Sequence, residues 1–147
     1  MLAERPIPLP NEDTEAYWVS CHEGKLSVST CGGCGHRFLP PACVCPVCLS
    51  LDVAMKPVSG KARVHSFIVV HKPQHPAFFE EAPYLVAIVE LDEGPRLHTR
   101  LLDVDAKDVT VGMPVEVAFQ KVEDEISLPV FRSRSSADAD RATKRGA

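Results

Sequence analysis

Positive charge is scarce in this chain, and so are aromatic residues and long apolar runs. Its 147 residues carry 16 lysines and arginines against 20 aspartates and glutamates, a formal net charge of −4. The deficit lies where a folded domain is expected, since residues 61–132 hold 8 basic and 12 acidic side chains. A domain that reads nucleic acid through its phosphates is expected to be basic, which disfavours that role. The longest apolar runs, Phe67–Val70 and Leu85–Val89, fall far short of the ~20 residues a helix needs to cross a bilayer. Met1–Pro10 shows neither the basic stretch nor the apolar run of a secretory leader. A cytoplasmic protein with reduced cysteines is therefore expected. Chemistry-bearing motifs are missing as well: there is no Gly-rich phosphate loop, no Gly-x-Ser-x-Gly and no His-Glu-x-x-His.

What the chain does have is cysteine in a pattern. Cys31-Gly-Gly-Cys34 and Cys45-Pro-Val-Cys48 are two Cys-x-x-Cys pairs separated by ten residues. Each pair is short enough for both sulfurs to reach one ion, and together they supply the four thiolates of a tetrahedral zinc site. Gly35 follows the first pair, where the backbone turns its N–H groups toward sulfur and a Cβ would be strained. Disulfides and rubredoxin-like iron are the competing readings, and an oxidising compartment is needed for the first. Cys43 makes three thiols for two places, but Cys45 and Cys48 repeat the spacing of Cys31 and Cys34, so Cys43 is the spare. His36 is set aside as a substitute ligand because four cysteines already fill the shell. A closed shell leaves no open position for water, so the expected zinc, one ion, is structural.

The rest reads as mainly β, with 13 prolines and little helical pattern. Residues 1–12 are expected to be an extended arm, and residues 13–59 an N-terminal helix with a rubredoxin-like zinc ribbon. Asn11 or Asp13 caps a helix over 14–23, with Tyr17, Trp18 and Cys21 on one side. Those rings either pack on the neighbouring modules or dock into another subunit. Strands are expected over 25–30 and 51–58, then over 61–72, 84–92, 96–102, 115–121 and 126–132. The last five, with a short polar link between the third and fourth, fit a five-stranded closed barrel of the OB type over residues 60–132. Residues 133–147 have no apolar periodicity and read as a disordered tail.

One connection is too rich to be filler. His71-Lys72-Pro-Gln-His75-Pro-Ala-Phe78-Phe79-Glu-Glu-Ala-Pro83 joins the first two barrel strands with two histidines, two phenylalanines and three prolines. Such a loop is either a plug for one end of the barrel or a lip over an apolar ligand or partner. His71 and His75 are the plausible acid–base groups, with a surface or partner-facing role preferred. Lys72 and Arg63 offer isolated cations for phosphates.

Taken in order, Tyr17-Trp18, Cys31-x-x-Cys34-Gly35, Pro40-Pro41, Cys45-Pro46-x-Cys48, His71–Phe79, Pro83-Tyr84, Leu91-Asp92-Glu93-Gly94, Val111–Val115 and Leu128–Phe131 form a recognisable set. The sequence resembles the zinc-ribbon/OB-fold accessory proteins of acyl-CoA enzymes, over roughly residues 12–132. Cys43 departs from the pattern. The resemblance implies a non-catalytic or co-catalytic small subunit of a hetero-oligomer that docks on a thiolase-like enzyme, such as a thiolase or a lipid-transfer-type aldolase. It further implies that the barrel helps bind or shield the acyl-CoA; the 71–83 loop is then expected to face the substrate route. A hot-dog-fold enoyl-CoA hydratase is the alternative partner. A binder of single-stranded nucleic acid is the rival of a different class; it needs stacking aromatics in a basic groove.

Overall fold

The computed structural model describes residues 4–134, so most of the tail expected over 133–147 and the first three residues of the arm lie outside the described residues. Helix α1 (Glu15–His22) comes first. The Asn11 carboxamide oxygen accepts the N–H groups of Asp13 and Thr14 at 3.0 and 3.1 Å, which turns the chain into α1. Asp13 reaches away instead, accepting the backbone N–H of Cys43 at 2.9 Å, so neither expected residue is the helix cap: that position is Thr14, whose side chain makes no capping bond. Strands β1 (Ser27–Cys31), β2 (Arg37–Phe38) and β3 (Val53–Pro57) then form a three-stranded antiparallel sheet in the order β2-β1-β3.

The second half is a closed barrel of β4 (Lys61–Val70), β5 (Tyr84–Leu91), β6 (Arg96–Leu102), β7 (Pro114–Lys121) and β8 (Ser127–Ser133), in the order β4-β5-β6-β8-β7. Along β5, Leu85, Ala87, Val89 and Leu91 are buried while Tyr84, Val86 and Ile88 are half-buried, the period of two that a strand imposes. The barrel closes through β7 on β4 and through a parallel pairing of β6 with β8. That parallel seam is short: only Leu101 with Phe131 and Leu102 with Arg132 are in register. The earlier residues of β6 and β8 therefore splay apart.

Strand ends lie one or two residues from those read in the sequence. The exception is the long loop, where Pro76–Glu81 forms a 3-10 helix rather than irregular chain. Proline at its first position fixes the starting φ, and the His75 imidazole Nδ1 accepts the Ala77 N–H at 3.2 Å. Leu39–Pro40 and Ala82–Pro83 are cis.

The two halves share one apolar core. Tyr17 and Cys21 of α1, with Leu26 and Val28, belong to the same cluster as Val64, Leu85, Val115 and Phe131 of the barrel. Burial of this kind stabilises by ~1.5–3 kcal/mol for each large side chain, so α1 is held by the barrel as much as by the ribbon. Gly60, at φ +77°, joins β3 to β4, and a Cβ there would fall inside Val117.

Candidate functional site

Two features converge residues that the chain keeps apart. The first is a sulfur cluster. The Sγ atoms of Cys31, Cys34, Cys45 and Cys48 all lie within 4.8 Å of one another. Cys31 is 3.5 Å from Cys48, and Cys34 is 3.6 Å from Cys45. Four sulfurs at the ~2.3 Å Zn–S bond length sit about 3.8 Å apart on a tetrahedron, so the arrangement fits a metal of that size. Cys43 is exposed and held by Asp13, outside the cluster. His36 stacks on Phe38 with ring centroids 5.7 Å apart.

The two knuckles are built alike. Gly35 donates its N–H to the Cys31 carbonyl at 3.0 Å, and Leu49 donates to the Cys45 carbonyl at 3.0 Å. Both take the left-handed conformation, with φ +76° at Gly35 and +61° at Leu49. That conformation suits glycine, whereas a leucine pays steric strain of roughly 1–2 kcal/mol. Leu49 is nonetheless 73 % exposed, between Val47 at 65 % and Leu51 at 79 %.

Without a cation the four thiols titrate against one another. The Cys34 backbone N–H pulls Cys31 down to about 6, and the Cys48 backbone N–H holds Cys45 low. Cys34 moves the other way, up to about 12. The His36 backbone N–H lowers it, but burial and the thiols of Cys48, Cys45 and Cys31 outweigh that. Cys48 is also raised, the Ser50 N–H being outweighed by the Cys31 thiol and burial. Two thiols are thus shifted down and two up, since each further negative charge is opposed by those already gathered. A divalent cation removes that obstacle. These residues form a structural metal site.

The second feature is a cleft of about 980 Å³ over the splay between β6 and β8. Helix α1 walls it with Tyr17 and Trp18, the 39–41 segment with Leu39 and two prolines, and the barrel with Val86, Leu97, Leu128 and Val130. Thr99 bridges the opened strands by donating its hydroxyl to the Pro129 carbonyl at 3.1 Å. At one end Arg100 lies over the Tyr84 ring at 4.2 Å, and Arg5 over the Phe78 ring at 5.0 Å. Glu81 pairs with both guanidiniums. Arg100 Nε is buried and has no hydrogen-bond partner.

The residues singled out from the sequence thus part company. Trp18, Tyr17 and Phe78 meet at the cleft. Phe79, its neighbour, is 55 % exposed and does not line it. His71 and Lys72 are exposed and also stand away from it, while His75 caps the 3-10 helix and packs edge-on against Phe78. Arg5, Arg100 and Glu81 were not read from the sequence. They are isolated charges 76 and 19 positions apart, with no local pattern to mark them. Arg63 donates to the Gly112 carbonyl at 3.0 Å, a structural contact.

Known proteins share this architecture. Residues 18–54 match the family described as "ChsH2, rubredoxin-like zinc ribbon domain", and residues 55–120 match "ChsH2, C-terminal OB-fold domain". A probable enoyl-CoA hydratase alpha subunit of Thermomonospora curvata is 39 % identical over 130 residues, 88 % of this chain. The chain spans 40 % of that relative's length. A DUF35 domain-containing scaffold protein of Methanothermobacter thermautotrophicus is 40 % identical over 101 residues, 68 % of this chain and 75 % of that protein. Among solved structures, a chain of the Ltp2-ChsH2(DUF35) aldolase superposes with a TM-score of 0.78 at 38 % identity, covering 86 % of this chain and 98 % of that one. With cysteine cluster, ribbon and barrel all matched, the chain belongs to the DUF35 family, in its ChsH2 form of a rubredoxin-like zinc ribbon followed by an OB-fold domain.

Proposed function

We propose that this protein is an accessory subunit of an acyl-CoA-processing hetero-oligomer, which docks on a thiolase-superfamily enzyme and helps bind or shield the thioester. One observation carries this reading: the likeness to a chain of the Ltp2-ChsH2(DUF35) aldolase extends over 98 % of that chain. A lipid-transfer-type aldolase is accordingly the preferred partner, with a thiolase the nearest alternative. The catalytic groups belong to the partner, and this chain supplies surface and cleft.

The exposed second knuckle supports docking through the ribbon. Val47, Leu49 and Leu51 present three large apolar side chains within five residues. Leu49 does so from a backbone conformation that glycine would occupy without strain. Strain kept at an exposed apolar position fits a side chain that is buried in the assembly. The metal is a single zinc ion held by Cys31, Cys34, Cys45 and Cys48, with a structural role, and the reduced thiols it needs fit the cytoplasm.

A hydratase complex is the second reading, because two relatives bear that name: the Thermomonospora protein and the 3-oxo-4,17-pregnadiene-20-carboxyl-CoA hydratase alpha subunit of Mycobacterium tuberculosis, 32 % identical over 114 residues. Co-expression of the full chain with an aldolase-type and, separately, a hydratase-type subunit from the same source decides between them. Size-exclusion chromatography is followed by an acyl-CoA cleavage or hydration assay on each. The expected result is a stable complex with the aldolase-type chain that cleaves acyl-CoA only when both chains are present. Elution of this protein alone from both mixtures, with the partners' activities unchanged, would overturn the accessory-subunit reading.

A further inference from the structure

We propose that the open edge of β4 over residues 66–70 is a self-pairing surface. A second copy of this chain adds the same strand to it, antiparallel, about a two-fold axis at Ile68. The edge belongs neither to the sulfur cluster nor to the cleft lining, so the pairing stands whether or not a catalytic partner is bound.

Strand β4 outruns the strand that closes the barrel beside it. β7 pairs with it only at Lys61, Ala62 and Arg63. Val64 makes the last contacts, donating to the Met113 carbonyl at 3.0 Å and accepting the Gly112 N–H at 2.7 Å. A bulge follows between Val64 and Ser66, and beyond it residues 66–70 pair with β5 alone among the described residues. Neighbouring residues of a strand turn their backbone groups to opposite edges. Asp92 donates to the Lys61 carbonyl and Leu91 to that of Pro95, so along β5 the even-numbered residues face β4. Their partners Ser66, Ile68 and Val70 are thereby satisfied. Phe67 and Val69 are left with N–H and C=O groups turned to the open side.

A row of unpaired main-chain groups is a template for another strand. Natural edges are commonly blunted with charge or proline, yet Val64–His71 holds no lysine, arginine, aspartate, glutamate or proline. Phe67 and Val69 pack against the core and hold the strand in place, while Ile68 stands 61 % exposed. Val111, also exposed, flanks the root of the edge beside His65.

Other segments of the chain suit this edge poorly. The arm has proline at 6, 8 and 10, and a proline gives no N–H to a ladder. Residues 135–147 contain no run of β-branched or aromatic side chains. A second β4 fits on each count. With Ile68 opposite its own counterpart, Phe67 faces Val69 and Ser66 faces Val70, so no like charges meet. Phe67 of each chain exchanges both of its open hydrogen bonds with Val69 of the other, and every free group of the two residues is used. Ile68 meets its counterpart as a non-hydrogen-bonded pair, where side chains approach most closely. One strip serves both chains, as a two-fold interface requires.

Sedimentation velocity on the full-length, metal-loaded protein alone, over a range of concentrations, tests this pairing. A dimer that dissociates on dilution is expected. Ile68→Lys and Ile68→Glu change an exposed side chain outside the core, and each places like charges at the axis. Each should weaken self-association at least about tenfold, and an equimolar mixture of the two should restore it. In hydrogen exchange, the Phe67 and Val69 amides should gain protection with concentration in the native protein and lose that gain in Ile68→Lys. Those of Ser66, Ile68 and Val70 should stay protected in both by β5. A protein that is monomeric at every concentration would overturn the proposal. So would a dimer indifferent to either charge, or a mixture that stays monomeric. Loss of binding to the catalytic subunit in Ile68→Lys, with self-association unchanged, would hand the edge to that subunit and overturn it as well.

Discussion

The sulfur cluster and the cleft are built on opposite principles. The cluster draws its four ligands from eighteen consecutive positions, and its geometry follows from two tight turns. The cleft draws on residues from Arg5 to Val130, and its shape follows from how a helix, a cis-proline segment and a splayed barrel seam happen to meet. Local chain stiffness dictates the first, tertiary packing the second. Damage to the cluster should therefore be all-or-none, and damage to the cleft graded.

The largest effect is expected at the cluster. Cys48→Ser or Cys34→Ser removes one of four ligands, and for a small metal module binding free energy is folding free energy. Loss of bound metal in elemental analysis and melting of the ribbon should follow, at a cost beyond the ~4–5 kcal/mol that marks a severe substitution. A variant that kept full thermal stability without metal would show that the shared core, with Tyr17 and Cys21 anchored in the barrel, holds the ribbon by itself. The comparison would then collapse.

At the cleft the effects should separate by side chain. Phe78→Ala should weaken acyl-CoA turnover by the assembled complex about tenfold or more, in the range of an interface or pocket anchor, and lower stability less. Phe79→Ala leaves the cleft walls intact, since its ring points elsewhere, and should alter complex formation alone. Unchanged turnover with a depressed melting temperature in Phe78→Ala would reduce that ring to a barrel plug.

Leu49→Gly joins the two regions with a smaller effect of opposite sign. Relief of left-handed strain should raise stability by up to ~1 kcal/mol, while loss of an exposed apolar side chain should weaken docking. Chemical denaturation and size-exclusion chromatography read the two separately. Stabilisation without any loss of docking would mean that the second knuckle faces solvent in the complex.

The smallest expected effect is a pH dependence at the joint between the regions. Burial pushes the Cys21 thiol up to about 11 from its ordinary 9.0, only partly offset by the Tyr17 hydroxyl. Tyr17 is raised as well, by burial first and by Cys21 second. The fold holds these protons more tightly than the unfolded chain does. Their contribution is thus complete below about pH 9 and is lost as pH climbs toward 11. Melting temperatures at about pH 8 and 10.5 should fall further apart in the native protein than in Cys21→Ala. An equal fall in both would remove Cys21 from the account.

How much of this was legible beforehand follows the same division. Tyr17, Trp18 and Cys21 marked the helix, and the apolar run over 84–92, closed by the Glu93-Gly94-Pro95 turn, marked a strand and its partner over 96–102, with ends that the structure keeps within a residue or two. The 3-10 turn at Pro76–Glu81 was missed because its cap is a histidine nitrogen, not one of the Ser, Thr, Asp or Asn oxygens that mark a helix start in sequence. Ser27 and Ser29 are buried as Leu26 and Val28 are, so the apolar–polar alternation of residues 25–30 does not divide core from solvent. Ser27 and Ser29 share one face of that strand, where Ser20 of α1 and Met55 of β3 meet them, while Val28 on the other face joins the shared core.

Sequence alone determined the ligand set, the order of ribbon and barrel, and the strand pattern, because each rests on contacts between residues a few positions apart or on a period of two. Tertiary structure alone decided that α1 belongs to the barrel's core, that Phe78 turns inward while Phe79 turns out, and that Arg5, Glu81 and Arg100 meet. Those outcomes depend on how far β6 and β8 stay paired before they part. That is a property of barrel closure, and no stretch of neighbouring residues encodes it.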